Sequence, residues 1–527
     1  THYDCSLLDF GAYDFIIIGA GSSGAVIANR LSEVENWNIL VLEAGTLPNN
    51  STEIPALYAF GCFSDFNWGF KTVPQTTACL GTVEQRCMVP RGRGLGGTTL
   101  INGLIYSRGH PADYDRWADL LNDSSWSYDN VLPYFKKSED LHVTDEEAPL
   151  DYQYHSSGGF WSVEHHKPSI QIEYVFLEAN KELGYNLTDY NSRDRSGGTV
   201  IQYNTKQGKR HDQGQTYRAT AGKEVVLSAG VISSPQILML SGLGPQHHLE
   251  ELGIPVIKNL SVGASLKDHI GVFGLQFSSN MSLPNSTLRE QVEEYLKGVG
   301  PLTSNALSHV LGWYRTNGTP TSGSPDIELV VDVTSSNSEF AQRFLGWNDE
   351  TWDALWRDNP ASFYLNPLFL HPRSVGTVKL KSSSPFDFPL IDYNLLSDPE
   401  DKDIDGLYEG INLIFQLVNT TAFQNIEAKP ELRQLPACST YEFLSKDYWY
   451  CYIRRLGLPV FHAVGTCAMG TDPSAGAVVD PEFKVFGIRN LRVADSSVFP
   501  FTLSSHPSAD CAMIGEKVSD VIKLVHL

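Results

Sequence analysis

His462 is the first residue of this sequence whose type and surroundings suggest proton chemistry. It stands among apolar and small residues in the stretch LPVFHAVGTCAMG, residues 458–470. A histidine titrates close to neutral pH and can therefore act as a general base. Buried histidines with a structural hydrogen bond are more common than catalytic ones, so the stretch alone favours a core residue. The rest of the sequence has to decide between these two interpretations.

A second group of residues has the spacing of a dinucleotide-binding motif. Gly19, Gly21 and Gly24 form the pattern GxGxxG, and Glu43 follows nineteen positions after Gly24. The glycines allow a tight turn, a close approach of a pyrophosphate to the backbone, and close packing of a helix on a strand. The carboxylate accepts hydrogen bonds from ribose hydroxyls and repels a 2′-phosphate. The motif predicts a nucleotide cofactor but does not separate NAD from FAD.

The elements around these residues are those that the chemistry requires. DFIII (14–18) predicts a buried parallel strand, AVIANRL (25–31) predicts a helix, and NILVL (38–42) predicts a second strand. Further along the chain, DIELVVD (326–332) and GTVKLK (376–381) alternate like half-buried strands. The sequence therefore predicts a parallel sheet near its start and an antiparallel sheet in its middle.

Four longer motifs resemble the glucose-methanol-choline (GMC) oxidoreductases, a family of FAD enzymes. They are the glycine run PRGRGLGGTTLINGLIY (90–106), SPQILMLSGLG (234–244), LSVGASLKDH (260–269) and GIRNLRVADSSVF (487–499). The motifs occur in the family's order over nearly the whole chain, so the resemblance is specific. With Cys79 and Cys87 before the glycine run, the sequence resembles secreted arthropod members of the family, which include glucose dehydrogenase-like proteins, salicyl alcohol oxidase and mandelonitrile oxidase.

The resemblance implies a GMC fold with two domains. One is an α/β FAD-binding domain with a Rossmann-like parallel sheet, built from residues 1–160, 196–275 and 475–527. The other is an α+β substrate-binding domain with an antiparallel sheet, built from residues 161–195 and 276–474. The family usually carries a few dozen more residues just after Asp212, so this chain is expected to be shorter there.

The resemblance also implies which residues bind FAD. The ADP half would contact Gly19, Gly21, Ser22, Ser23, Gly24, Glu43 and Ala44. The pyrophosphate and the flavin would contact Arg93, Gly96, Gly97, Thr98, Asn102, Gly103, Asp495, His506 and Pro507. In members with a covalently bound flavin, a histidine stands at the position that Ile101 occupies here. We therefore expect FAD to be bound non-covalently, and we predict no metal site.

The resemblance raises the expectation for His462. FHAVGT (461–466) resembles the family's HPxGT motif, with Ala463 in place of the proline, and His506 lies where relatives carry His or Asn. His462 is then the expected base, and His506 is the residue expected to hydrogen-bond the alkoxide. His269 is expected to be a structural or flavin-proximal residue only.

The predicted function is the FAD-dependent oxidation of an alcohol, with an aromatic or cyanohydrin-type carbinol as substrate and O2 or another electron acceptor. Two alternatives stay open at this point. One is a hydroxynitrile lyase whose FAD does no redox chemistry. The other is a sugar dehydrogenase that uses an acceptor other than oxygen.

Composition points to an exported protein that binds neither nucleic acid nor membranes. Lys and Arg number 39 and Asp and Glu 61, which gives a net charge of −22 and disfavours polyanionic partners. The chain begins at Thr1 and has no apolar run long enough to span a membrane. Cys79 with Cys87 and Cys438 with Cys451 are candidate disulfides. N-linked glycans are expected because N-x-S/T sequons start at Asn49, Asn50, Asn122, Asn186, Asn259, Asn280, Asn285, Asn317 and Asn419.

Overall fold

The computed structural model describes residues 9–143, 149–165, 170–193, 195–203, 218–281, 286–305, 308–316, 324–333, 339–359 and 361–527. The segment after Asp212, which we expect to be short, lies outside these residues, as do the sequons at Asn285 and Asn317. The α-helices of the described residues are Ser22–Ser32, Asn50–Glu53, Tyr58–Gly61, Pro111–Leu121, Tyr128–Ser138, Gln171–Glu182, Gly230–Leu240, Gln246–Glu251, Leu288–Tyr295, Glu339–Leu345, Asp349–Leu355, Lys402–Val418, Thr421–Asn425, Lys446–Leu456 and Ser508–His526.

The N-terminal strand forms the centre of a parallel sheet. Within the described residues this sheet has four strands, in the order Ile39–Leu42, Asp9–Ile18, Arg218–Leu227 and Leu491–Val493. All three pairings are parallel, as expected for strands that are joined through helices. The sheet therefore brings the start of the chain beside segments from its middle and its end.

The second, larger sheet is mostly antiparallel. Its nine strands in the described residues are Asn186–Leu187, Gly197–Val200, Ile270–Val272, Gln276–Ser278, Ser308–Tyr314, Ile327–Asp332, Phe363–Phe369, Lys429–Pro430 and Gly457–Pro459. Only the pairing of the first two is parallel. The shorter pairs and triplets are Phe70–Lys71 with Met88–Val89; Glu139–Leu141 and Gln202–Tyr203 with Trp161–His165; Leu243–Gly244 with Lys258–Asn259; and Thr377–Lys379 with Leu390–Asp392.

These sheets confirm the predicted fold class, and they correct two details of the expected strands. The strand Ile327–Asp332 is not half-buried, because residues 327–331 are all buried in the middle of the large sheet. The strand Thr377–Lys379 pairs with Leu390–Asp392 in a separate hairpin and does not join the large sheet. The alternation of side chains predicts a strand in both segments, and both contain one. It does not predict which faces are buried or which strands pair, because the elements that pack on each strand are distant in sequence. The predicted domain boundaries stay a prediction.

Two disulfides join the predicted cysteine pairs, Cys79 with Cys87 and Cys438 with Cys451. No helix of the described residues has both the length and the apolar character that a membrane crossing requires. Within the same residues, no group of three or more His, Cys, Asp and Glu side chains is arranged to hold a metal ion.

Candidate active site

The two glycine-rich segments face one another at the carboxyl end of the first strand. Gly19 has a φ of +101°, and a Cβ there would lie 2.4 Å from the carbonyl oxygen of Ser228. A Cβ on Gly97 would lie 2.9 Å from the Cα of Gly21. Gly21 precedes the helix Ser22–Ser32 and provides no side chain to cap it. The segments therefore present backbone N–H groups at a helix N-terminus, which is an arrangement that favours an anion.

Glu43 lies directly after the second strand of the parallel sheet. Its Oε2 accepts a hydrogen bond from the backbone N–H of Ala20 at 3.0 Å, and its Oε1 accepts one from Gly45 at 3.0 Å. These bonds hold the carboxylate beside the glycine turn.

Several of the predicted cofactor-binding side chains are bonded within the protein. The Ser23 hydroxyl donates to the carbonyl of Cys511 at 2.7 Å, and the Thr98 hydroxyl accepts from the N–H of Gly92 at 3.2 Å. The guanidinium of Arg93 lies 4.9 Å from the ring centroid of Trp68. The polar groups of these side chains therefore contact other parts of the protein and help to hold the glycine-rich segments in place.

Asp495 has a similar bracing position at the end of the fourth strand. Its Oδ2 accepts from the N–H of Gly230 at 2.9 Å and from the hydroxyl of Ser234 at 2.6 Å, and its Oδ1 accepts from the N–H of Ser497 at 2.8 Å. It thereby ties the last strand to the start of the helix Gly230–Leu240.

The other predicted cofactor-binding residues lie in or beside the same elements. Ser22 starts a helix, Ala44 is exposed after the second strand, and Pro507 precedes the last helix. Gly96 adjoins Gly97, and Gly24 packs on Gly19. The backbone carbonyl of Gly103 accepts a hydrogen bond from Asn305, and the side chain of Asn102 accepts one from the N–H of Leu104.

The two predicted catalytic histidines are adjacent in the structure. The ring centroids of His462 and His506 lie 4.3 Å apart with the rings tilted by 69°. His462 is only partly buried, and the side chain of His506 is 15% exposed. Because the two rings come from distant segments, their contact is a property of the fold. A molecule that reaches one ring also reaches the other.

The peptide bond that precedes His462 is held from both sides. Arg91 Nη2 donates to the carbonyl of Phe461 at 2.9 Å, and the N–H of His462 donates to Asp268 Oδ1 at 2.8 Å. Phe461 has a φ of +69°, a strained conformation for a bulky residue that persists only where the surroundings enforce it. We call Arg91 and Asp268 the clamp, because their two hydrogen bonds hold this peptide bond in place. The clamp fixes the backbone at His462, although Ala463 stands where the family motif has a proline.

His269 contacts His462 directly. The two Nδ1 atoms lie 2.9 Å apart, and the rings are nearly perpendicular at a centroid distance of 5.1 Å. His269 is buried, with 1% of its surface exposed. It is therefore a partner of the candidate base, which is a closer involvement than the sequence led us to expect.

Glu328 is the partner of the second histidine, and sequence reasoning missed it. His506 Nε2 lies 2.8 Å from Glu328 Oε1, while the other carboxylate oxygen has no hydrogen bond among the described residues. Glu328 is fully buried in the strand Ile327–Asp332. Its one sequence signal is a charge inside a run that is otherwise apolar on both faces, and the prediction of a half-buried strand places that charge in solvent.

Burial sets the charge states around His462. Burial lowers the pKa of His462 well below its usual value, and the nearby His506, His269 and Arg91 act in the same direction. Burial also lowers the pKa of His269 to about 3. In contrast, burial raises the pKa of Asp268 to about 7, although Arg91 opposes this shift. Both imidazoles are thus neutral at physiological pH, and the lone pair of a neutral ring can accept a proton.

Phe461, the residue before His462, belongs to a series of three aromatic rings that ends at the short helix Tyr58–Gly61. Phe461 lies beside His462 in sequence, its ring centroid is 6.3 Å from that of Phe344, and Phe344 is 6.2 Å from Tyr58. All three rings are partly exposed. Edge-to-face contacts of this kind are a favourable arrangement for aromatic rings.

Comparison with known proteins gives consistent matches over the chain. The family models described as GMC oxidoreductase match residues 13–221 and 209–271 with the N-terminal model and 372–515 with the C-terminal model. Similar proteins include glucose dehydrogenase (FAD, quinone) of Drosophila melanogaster, 33% identical over 97% of this chain and 87% of its own length. Ecdysone oxidase of Bombyx mori is 31% identical over 99% of this chain and 83% of its own length. A formate oxidase structure from Aspergillus oryzae RIB40 has a TM-score of 0.81 at 24% identity and covers 98% of this chain and 99% of that one.

Proposed function

Because this chain belongs to the GMC oxidoreductase family, we propose that it oxidises an alcohol to a carbonyl compound with non-covalently bound FAD. The proposed substrate is an aromatic or cyanohydrin-type carbinol, and the proposed electron acceptor is O2, which gives H2O2. The observation that carries the proposal is the 4.3 Å distance between the ring centroids of His462 and His506. Arg91, at the start of the glycine run, donates to the carbonyl of Phe461 and so connects this pair to the glycine-rich segments.

The residues present fit FAD. Gly21 and Gly97 leave a strip of backbone that a Cβ would fill, and Glu43 stands where an adenosine ribose would bind. Ile101, which is buried, has no nucleophile with which to bond a flavin covalently. When bound, FAD would accept the hydride from the carbinol carbon. Acid precipitation of the protein should release the whole flavin into solution, whereas flavin retained in the pellet would contradict non-covalent binding.

The two histidines divide the proton chemistry in this proposal. His462 is neutral and its Nε2 has no hydrogen-bonding partner among the described residues, so it accepts the hydroxyl proton. His506 has Nε2 bonded to the carboxylate of Glu328 and Nδ1 free of protein partners in the described part of the chain. An N–H at that Nδ1 would donate a hydrogen bond to the substrate oxygen, while the contact with Glu328 holds the ring in place.

The series of rings formed by Tyr58, Phe344 and Phe461 supports an aromatic substrate. A planar aromatic ring placed next to these residues would gain offset or edge-to-face contacts. The alternative of a sugar dehydrogenase with a non-oxygen acceptor is favoured by the 33% identity to a glucose dehydrogenase (FAD, quinone). The two functions differ in both substrate and acceptor, so one set of assays separates them.

The deciding experiment mixes purified holoenzyme anaerobically with benzylic alcohols, cyanohydrins and sugars in turn. We expect benzylic alcohols to abolish the absorbance of the oxidised flavin, and air to restore it with stoichiometric peroxide. Reduction by sugars with reoxidation only by a quinone would favour the dehydrogenase. Unchanged flavin with release of aldehyde and cyanide would favour the hydroxynitrile lyase and overturn the redox function.

Export with N-linked glycosylation is part of the same proposal. The sequon asparagines within the described residues are all exposed: Asn49, Asn50, Asn122, Asn186, Asn259, Asn280 and Asn419. The two disulfides suit an oxidising compartment. Expression with a signal peptide in a eukaryotic host should give secreted protein whose mass falls on treatment with an N-glycosidase. A chain retained in the cell, or an unchanged mass, would contradict this part.

A further inference from the structure

The contact between His269 and His462 requires one proton between two nitrogen atoms. Both Nδ1 atoms belong to neutral rings and lie 2.9 Å apart, so one must carry hydrogen and the other must accept it. The two possible arrangements have opposite consequences. If His269 donates, His462 carries its own proton on Nε2, where it blocks the base. If His462 donates, its Nε2 has a free lone pair.

The surroundings of His269 decide the direction of this hydrogen bond. The ring is buried, and its Nε2 makes no hydrogen bond of normal geometry among the described residues. The backbone carbonyls of Leu370 and Leu503 interact with the ring in the sense that favours a bound proton. Since Nδ1 is occupied by His462, that proton belongs on Nε2, because carbonyl oxygens attract a hydrogen and repel a lone pair. His269 then has its lone pair on Nδ1.

We propose that His269 is a positioning residue that accepts the Nδ1–H of His462 and thereby holds the lone pair of His462 on Nε2. The use of that lone pair as a base rests on the proposed function, whereas the direction of the hydrogen bond does not. When Nε2 takes the hydroxyl proton of the substrate, the O–H bond breaks, an N–H bond forms and His462 becomes an imidazolium. Its bond to His269 is then a charge-assisted one and strengthens.

The neutrality of His269 suits this role. The charged and titratable groups that face it are His462, His506 and His371, together with Arg91 and Asp268 around the His462 peptide. Burial lowers the pKa of His269 to about 3, with His371 and His506 acting in the same direction, so it remains an acceptor over the working pH range. A carboxylate at this place would hold the same tautomer but would add a negative charge, as Glu328 does for His506.

Histidine-selective ¹⁵N NMR of the holoenzyme tests the proposal without turnover. The ring signals of His462 are identified by their loss in His462→Gln. We expect a protonated Nδ1 and an unprotonated Nε2 at neutral pH. The reverse pattern, or an equal mixture of both tautomers, would overturn the proposal.

Two variants provide the matched comparison. His269→Asn keeps an acceptor oxygen near the position of Nδ1, whereas His269→Leu fills similar space without one. We expect His269→Leu to shift His462 toward the Nε2–H tautomer and to lower kcat by about 10²–10⁴-fold, the scale known for a wrong catalytic tautomer, with KM and bound flavin little changed. His269→Asn should retain the tautomer and stay within about tenfold of the wild type.

The outcomes separate this inference from the function on which it rests. Equal losses in both variants with an unchanged His462 tautomer would show a purely structural role and overturn the inference. The expected tautomer together with normal flavin reduction in His462→Gln would support the inference and overturn the proposed base.

Discussion

The two histidines of the candidate site have the same side chain and opposite partners. His462 contacts a buried neutral imidazole, His269, and its backbone is clamped by Arg91 and Asp268. His506 contacts a buried carboxylate, Glu328. A neutral acceptor holds a tautomer without stabilising positive charge, whereas a carboxylate stabilises a protonated ring. This difference in partners is the basis on which the proposed function assigns the base to His462 and the hydrogen-bond donor to His506.

Replacing the base should give the largest effect. In His462→Ala we expect flavin reduction by substrate to slow by about 10³–10⁴-fold, because general-base catalysis is lost. The glycine-rich segments proposed to bind FAD are unchanged in this variant. Stopped-flow reduction under anaerobic conditions measures the rate, and the visible spectrum measures bound FAD. His247→Ala is the matched control, since that histidine is 88% exposed and lies in the helix Gln246–Glu251, outside the catalytic motifs. Near-normal reduction in His462→Ala would mean that the base is another residue.

Removal of the second histidine should cost less. His506→Ala loses a donor to the substrate oxygen, and we expect a rate loss of about 10²–10³-fold. His506→Asn restores a neutral donor and should recover part of that loss. If His506→Ala were the more damaging of the two alanine variants, the assignment of base and donor would have to be exchanged.

Replacing Asp268, the carboxylate of the clamp, should change the free energy of unfolding rather than the catalytic rate. Burial raises the pKa of Asp268 from 3.8 to about 7, so between these values the folded protein keeps a proton that the unfolded chain has lost. The free energy of unfolding therefore falls as pH rises through this window, by about 1 kcal/mol per pH unit. Asp268→Asn keeps the oxygen that accepts from His462 and removes this dependence.

Chemical denaturation of both proteins at several pH values measures that difference. Relative to the wild type, Asp268→Asn should gain stability from pH 5 to pH 7 by about 2 kcal/mol, while its rate changes little. Parallel pH profiles for the two proteins would show that Asp268 is ionised throughout this range.

The carboxylate behind His506 should give a smaller loss of rate than either histidine. Glu328→Gln keeps a hydrogen-bonding group at the same place but removes the charge that stabilises a protonated ring, so we expect about a tenfold loss in kcat. In a double-mutant cycle with His506→Asn the two losses should not add, because both act through the same donor. Additive losses would mean that Glu328 acts independently of His506.

The comparison with known proteins confirms the family that the glycine runs and the later motifs had indicated. It is coarser than the predictions, because it does not distinguish between substrates or acceptors. Those details, the domain boundaries and the individual site residues stay proposals, and the variants above address the residues directly.

The strand, glycine turn and helix at the start of the chain could be predicted from the sequence because their determinants are local. Gly19, Gly21, Gly24 and Glu43 act through turns and backbone N–H groups within one strand–helix–strand unit, so their spacing already implies their geometry. The disulfides were recognisable for the same reason, since each closes a short loop. His462 itself was singled out by its motif.

The partners of the histidines were decided only by the tertiary structure. Glu328 reaches His506 because its strand lies inside the large sheet between the strands Ser308–Tyr314 and Phe363–Phe369, and sequence alternation cannot tell which faces of a strand other elements will cover. His269 and Asp268 reach His462 from a segment almost two hundred positions earlier. Burial then set their charge states, and burial depends on the whole fold.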